Sequence, residues 1–208
     1  MLTETQILGF LITTVLLTAT PGPDNLMVLS IGVSGGRRAG MAFGLGCAVG
    51  CLSHTLLAVV GVSAILAASP TAFMLLKWTG GAYLLWLGIQ ALRHAGTGRM
   101  PSDTAKQKSL RSLFLQGLMA NTINPKVVLF FLSFLPQFVV ESQGQVAWQL
   151  GLLGVLFSLQ AAVLFGLLGY FSGAIGAWLN RRPASGRWLD RAAGAIFVAL
   201  GLRMIVSR

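Results

Sequence analysis

The sequence predicts an all-α membrane protein of six transmembrane helices arranged as a 3+3 inverted repeat, with helices 1 and 4 broken at mid-membrane. Three observations carry that expectation. Over 208 residues the chain is 55% hydrophobic and only 10% charged, with a mean hydropathy of +0.77, whereas a soluble domain usually carries about 25% charged residues. Six apolar runs follow one another with short polar turns between them, each long enough for the roughly 20 helical residues that cross hydrocarbon. The first and fourth runs are interrupted by proline motifs, Pro21-Gly22-Pro23-Asp24-Asn25 and Asn124-Pro125-Lys126.

The first run extends from about Gln6 to Gly35, and its interruption falls near the middle. Pro21 and Pro23 remove amide donors and clash with the preceding turn, so a helix through Gly22 must break or kink. Unpaired backbone groups in hydrocarbon cost several kcal/mol each unless they face protein or a wet cavity, so the break predicts a lined site. Asp24 sharpens this, because an acid at the centre of a span costs about 2.5 to 3.5 kcal/mol and usually marks a route for ions, protons or substrate. A proline kink with a packed, protonated Asp is the structural alternative. The start carries Glu4 and no Lys or Arg, so residues 1–20 do not read as a cleaved signal peptide.

The second run, about Ala39 to Ala67, ends at Ser69-Pro70, and its glycines at 40, 44, 46 and 50 form a small-residue face for close helix contact. His54 lies deep in it, as a proton relay or a hydrogen-bonded structural group. Cys47 and Cys51, four apart and hence on one face, read as small core residues before a thiol relay or soft-metal site. The third run, about Thr71 to Ala91, carries Gly80-Gly81, Trp78, Tyr83 and Trp86; Trp78 suits a membrane interface. A polar connection of about 93–111 follows, with Arg93, Arg99, Lys106, Lys108 and Arg111 against Asp103.

The fourth run, about Ser112 to Val139, contains Asn121-Thr122-Ile123-Asn124-Pro125-Lys126. Asn before Pro is an N-cap followed by proline at the first helical position, so a second half-helix is expected from Pro125 through Val127 to Leu135. The fifth run, about Val146 to Leu179, is long enough to tilt or to extend past the bilayer. Arg181, Arg182, Arg187 and Arg191 frame the next turn, and a sixth run, about Trp188 to Val206, completes the chain.

The turns after runs one, three and five hold the basic residues, and those after two and four hold essentially none. The positive-inside rule then makes the odd-numbered exits cytoplasmic and both termini periplasmic, although Arg203 and Arg208 at the outer end count mildly against it. The two halves, about 1–92 and 112–208, match weakly but in order. Pro23-Asp24 aligns with Pro125-Lys126 at an offset of 102, Gly46, Ser53 and Gly61 with Gly151, Ser158 and Gly166 at 105, and Gly81-Ala82 and Gly88 with Gly194-Ala195 and Gly201 at 113. With three spans per half, the second half enters from the opposite side.

Inverted repeats that each hold one interrupted helix point to a secondary transporter with a site at the midplane. Each break exposes the positive start of a half-helix, which favours an anion such as a carboxylate. Asp24 suits that position. Lys126, in the matching place, does not, and an Asp24 to Lys126 pair near the pseudo-twofold axis is the simplest compensation. The competing expectation is a pair that is purely structural.

The two proline motifs, the second followed by Phe-Phe-Leu-Ser-Phe-Leu-Pro-Gln-Phe at 130–138, resemble those of the LysE/RhtB family of amino-acid exporters, and the likeness covers nearly the whole chain. The resemblance implies a bacterial inner-membrane exporter of neutral or basic amino acids, driven by the proton gradient, and not an enzyme. A zwitterion fits the charged midplane site: its carboxylate near the half-helix starts and Lys126, its ammonium near Asp24, with Asn25, Asn121 and Asn124 giving neutral hydrogen bonds. The expected partners are an amino acid, protons and the lipid bilayer, with a homodimer suggested by glycine faces in excess of what one small bundle needs. A net charge of +10 raises nucleic acid as a partner, but the bases lie between apolar runs as topology signals and no soluble domain remains to hold a duplex.

Two other functions compete. A thiol-disulfide carrier needs cysteine beside each break, and neither break has one. A divalent-metal exporter would rest chiefly on Asp24 and His54, too few ligands for a convincing site. No cofactor, resident metal, nucleotide or phosphate-cradling motif is expected.

Overall fold

The structure, a computed structural model, describes residues 2–93, 95, 108–181 and 183–206. Arg99, Asp103, Lys106, Arg182 and Arg208, used above to orient the chain, lie outside them, as does most of the connection at 93–111. The described residues are helical between short turns, with no strand among them.

Helix α1, Glu4–Ala19, starts on a capping box between Thr3 and Gln6. It ends where the sequence requires. Thr20 makes the last backbone bond to Leu16, Pro21 has no amide to continue the ladder, and Gly22 is extended at φ −162°. Pro23 then opens α2, Pro23–Gly35, and the axis turns by 56° between the two. Gly36, at φ 88°, makes the tight turn into α3, a left-handed backbone that glycine adopts without penalty.

Helix α3, Arg37–Leu57, passes through one π-helical turn, Ala58–Val62, into α4, Ser63–Ala68; α5 covers Pro70–Arg93. In the second half come α6, Leu110–Thr122, and α7, Pro125–Leu129; the segment Pro125–Phe138 that α7 opens is bent by 50° from α6, and Asn124 caps α7 with proline at its first turn as the sequence predicts. The expected continuation to Leu135 is not regular α-helix: Phe130–Phe134 is π-helical and Leu135–Phe138 is 3₁₀. Pro136 explains this, since it offers no amide and crowds the carbonyl four residues before it, and a widened turn relieves both.

The fifth run also differs from expectation. It is two helices, α8 at Val146–Tyr170 and α9 at Ser172–Arg181, separated at Phe171. The cause is tertiary. Ser172 is fully buried, its hydroxyl donates to the Gly169 carbonyl, and its side chain fills the space a methyl group would need at Gly32 of α2. Helix α10, Pro183–Val206, begins before the expected Trp188.

Among the described residues three helices are long and apolar enough to cross a membrane, or up to five spans if each bent pair counts as one. The helix at the expected sixth span is long enough, but Arg187, Asp190, Arg191 and Arg203 leave 192–202 as its longest uncharged stretch. Large apolar side chains such as Leu56, Ile123, Leu159 and Trp86 point outward at more than half exposure, which is consistent with a lipid-facing surface.

Glycines set the packing. Helices α3 and α8 run antiparallel, Gly40 meeting Gly169 and Gly44 meeting Phe165, while Thr55 packs on Gly154 near the far end. Helices α5 and α10 are also antiparallel. A methyl group at Gly88 would stand 2.8 Å from the Gly194 carbonyl oxygen and one at Gly194 2.8 Å from that of Gly88; Gly81 and Gly201 meet in the same way. Such backbone contact gives helices dispersion and close fit where lipid supplies no hydrophobic drive. Beneath the two bends, Phe130, Phe131 and Phe157 form an aromatic cluster with ring centroids 4.9 to 6.0 Å apart.

Candidate functional site

The two bends converge on one small cavity of about 20 Å³, lined by Gly22, Pro23, Asp24, Asn25, Asn121, Asn124 and Lys126 together with Leu17, Thr18, Cys51, Val127, Phe157 and Phe165. All five polar residues singled out from the sequence are therefore brought together from opposite halves of the chain. Among the helix-breaking residues, Gly22 and Pro23 form part of the wall, whereas Pro21 and Pro125 only shape the backbone. The volume is about that needed for one water, and far below that of an amino acid.

Asp24 sits in the first turn of α2, 6% exposed, and its Oδ2 accepts from the Asn121 side-chain amide at 2.8 Å. A carboxylate in that turn lies at the positive end of α2. Lys126 sits in the matching turn of α7, 8% exposed. Its ammonium donates to the backbone carbonyls of Leu17 at 3.0 Å and Thr20 at 3.2 Å, and lies 4.9 Å from the centre of the Phe197 ring.

This corrects one expectation. Among the described residues no ion pair joins Asp24 and Lys126; they share a cavity, and each has hydrogen-bond partners of its own. The carbonyls at the C-terminal end of α1 carry the negative end of its dipole. The end of α1 thus supplies the acceptors that a buried ammonium needs.

Gly22 matters to that geometry. A methyl group there would stand 3.2 Å from the Lys126 ammonium, so a larger side chain pushes the ammonium off its carbonyls.

The asparagines divide their work. Asn25 donates to the Thr18 carbonyl at 2.8 Å, another group freed by the end of α1, and Asn124 Oδ1 accepts from the Lys126 amide at 3.1 Å as the cap of α7. Of the three, Asn121 donates to the acid. It is itself fixed from α3, where His54 Nε2 lies 3.0 Å from the Asn121 carbonyl oxygen and Cys51 Sγ lies 3.4 Å from Asn121 Oδ1. His54 is 1% exposed and does not line the cavity, so it acts as a brace for Asn121.

Cys51 was expected in the core, and it is buried, but it also forms part of the cavity wall; Cys47 and Cys51 are both free thiols. Sequence reasoning missed Thr18, Phe157 and Phe165 as well. Thr18 stands one turn before the break, which is a usable signal; the two phenylalanines sit in a run so uniformly apolar that nothing distinguishes them.

A second space of about 240 Å³ adjoins the first and shares Thr18, Asn25 and Phe165 with it. Its remaining wall is Ala19, Leu164, Leu167, Leu168, Phe171 and Ile175. Gln160 reaches the shared wall, its amide donating to the Thr18 hydroxyl at 2.9 Å.

The profile of the LysE type translocator family matches residues 15–208. Similar relatives include a homoserine/homoserine lactone efflux protein of Salmonella typhimurium, 32% identical over 200 residues and covering 96% of each chain. A threonine efflux protein of Escherichia coli is 31% identical over 198 residues, covering 91% of this chain and 92% of its own. An uncharacterized membrane protein of Pseudomonas aeruginosa is 32% identical over 191 residues, covering 90% of this chain and 88% of its own. No solved structure matches the chain. Proteins of this type are transporters and not enzymes, and with the match running over both bends and every residue of the charged cavity, the chain belongs to the LysE type translocator family.

Proposed function

We propose that the protein is a secondary exporter of amino acids across the bacterial inner membrane, exchanging substrate for protons at the cavity between the two bends. The observation that carries this reading is the chemistry of that cavity: one carboxylate and one ammonium, from opposite halves of the chain, walled by asparagines and held by groups that a ligand can replace. Efflux activity in two relatives by name supports the direction of transport.

In this reading each bent pair is one span broken at mid-membrane, and α10 is the sixth span, its charged ends at the two interfaces. Two features support an inverted repeat. Under the 113-residue offset, the Gly81 to Gly201 contact becomes the Gly194 to Gly88 contact, so the α5 and α10 interface maps onto itself. The antiparallel courses of α3 with α8 and of α5 with α10 are those of alternating spans. Arg37, Arg38, Arg181, Arg187 and Arg191 then mark the cytoplasmic side, and both termini are periplasmic.

A substrate carboxylate displaces the Leu17 and Thr20 carbonyls from Lys126, a charge-assisted bond replacing two neutral acceptors. The substrate ammonium takes the Asp24 oxygen now held by Asn121, which turns to it as a neutral partner. Asn25 and Asn124 hold the ends of α1 and α7 open around it. A proton arriving from outside neutralises Asp24, weakens its hold on the ammonium and releases the substrate. A cavity of about 20 Å³ is too small for an amino acid, so the two halves must part to admit one, as in rocking around a fixed central site.

Purified protein in proteoliposomes loaded with labelled amino acids should release at least one of them faster under an imposed pH gradient than without it. Release of none across a broad panel would overturn the reading. A second expected outcome concerns Gly22. Gly22→Val should leave the protein in the membrane yet lower transport by about tenfold or more, because an ammonium pushed aside no longer stands where the substrate carboxylate would bond to it, and a hydrogen bond to a charged group is worth about 1.5 to 3 kcal/mol. Wild-type transport by that variant would separate Lys126 from the function.

A further inference from the structure

We infer that Thr18 gives the carboxylate of the transported amino acid a second hydrogen bond beside Lys126, and that Gln160 is the residue that holds the Thr18 hydroxyl in place for it. The inference rests on the exporter reading above and adds two residues to its site. Threonine in a helix usually returns its hydroxyl proton to a carbonyl of the preceding turn. Thr13, Thr14 and Thr20 do so, at Gly9, Leu11 and Leu16. Thr18 does not. Its hydroxyl accepts from the Gln160 amide at 2.9 Å, and among the described residues it has no acceptor for its own proton. Thr18 is 6% exposed and lines the charged cavity. The Leu17 and Thr20 carbonyls that hold the Lys126 ammonium flank it, so the ammonium and the unused hydroxyl stand at the same end of α1. A carboxylate has two oxygens, and can take the ammonium on one and the hydroxyl on the other.

Gln160 explains why the hydroxyl is turned this way. It comes from α8, in the other half of the chain and the most apolar of the three long helices. An amide in such a helix is costly, and here it is only partly satisfied: Nε2 donates to Thr18, while Oε1 is buried with no partner among the described residues. A buried polar group left unpaired in a native fold calls for a reason. The one contact the amide makes supplies it, since a donor on the Thr18 oxygen holds that side chain toward α8 and away from the carbonyls of its own helix.

The test is efflux from proteoliposomes holding the full chain, with the internal concentration varied. The probe is the labelled amino acid that the wild type releases fastest from a panel of alanine, threonine, homoserine, leucine and lysine. Thr18→Val should raise KM about tenfold or more with kcat within about twofold, as expected when a hydrogen bond to a charged group is lost from substrate binding. Thr18→Ser keeps the hydroxyl and should recover most of that loss. Gln160→Leu should raise KM about threefold or more in the wild-type background and not at all in Thr18→Val, because a residue that acts through another has no effect once its partner is gone. The double variant, Thr18→Val with Gln160→Leu, removes both polar groups together and should fold as the wild type does while keeping the raised KM. A wild-type KM in that double variant overturns the inference and leaves the exporter reading intact. So does a serine variant no better than valine, a loss in kcat instead of KM, or additivity of the two single changes, the result of a plain packing contact between α1 and α8. Release of no amino acid by the wild type removes the exporter reading and this inference with it.

Discussion

Asp24→Asn should leave the protein folded and inserted but abolish the part of efflux that depends on the pH gradient. The fold survives because the new side chain keeps an oxygen where Asn121 donates at 2.8 Å, and exchanging one such acceptor for another changes stability by about 1 kcal/mol at most. Coupling does not survive. An amide takes no proton in the working range, so the step that releases the substrate ammonium loses its trigger. Efflux measured with and without an imposed gradient should become equal in the variant, and a retained gradient dependence would assign proton uptake to another group.

The same geometry ranks the couplings. Asp24 and Asn121 are in direct contact, whereas Asp24 and Lys126 are joined only through the cavity. Double-variant cycles on folding should therefore give a larger interaction for Asp24 with Asn121 than for Asp24 with Lys126, as groups in direct contact couple by about 0.5 to 3 kcal/mol. The reverse order would mean that the charges meet in a conformation other than this one.

The second large effect is on stability. Gly117→Ala should destabilise the protein by about 3 kcal/mol, the upper end of the cost of overpacking, or prevent folding altogether. A methyl group at Gly117 would collide with the Phe43 carbonyl oxygen of α3, and one at Gly46 with the Phe114 carbonyl oxygen of α6. Both obstacles are backbone, so neither helix can yield by a rotamer change, and both helices would have to part. Gly166→Ala is the matched comparison, because a methyl group there meets nothing within 4 Å. That variant should match the wild type or gain about 0.5 to 1 kcal/mol from helix propensity. Thermal unfolding in detergent distinguishes the two, and equal behaviour would refute the claim that α3 and α6 are in backbone contact.

Much of the site was legible because its chemistry conflicts with its surroundings. Pro21, Gly22 and Pro23 in an apolar run, an acid beside them, and Asn124 before Pro125 each violate what a plain transmembrane helix tolerates, and each proved to lie at a bend. What the residues did not disclose was how the charges are held. The expectation of an Asp24 to Lys126 pair followed from reading each residue against its own helix. The structure answers it with a different helix, the end of α1, whose free carbonyls reach Lys126 only after the chain has folded back by 109 residues. Phe171, where the fifth run divides, was hidden for a similar reason: it is Ser172 packing on Gly32 that turns the chain there, and both belong to ordinary apolar stretches.

By itself the sequence determined an apolar helical chain, the two places where its helices must break, and the polar residues stationed at those breaks, because backbone sterics and the cost of burying charge act on each residue locally. Only the tertiary structure decided which groups satisfy those charges, that the two bends share one cavity, and that an apolar space opens beside it. Such relations depend on distances between residues far apart in the chain, and no local rule encodes them.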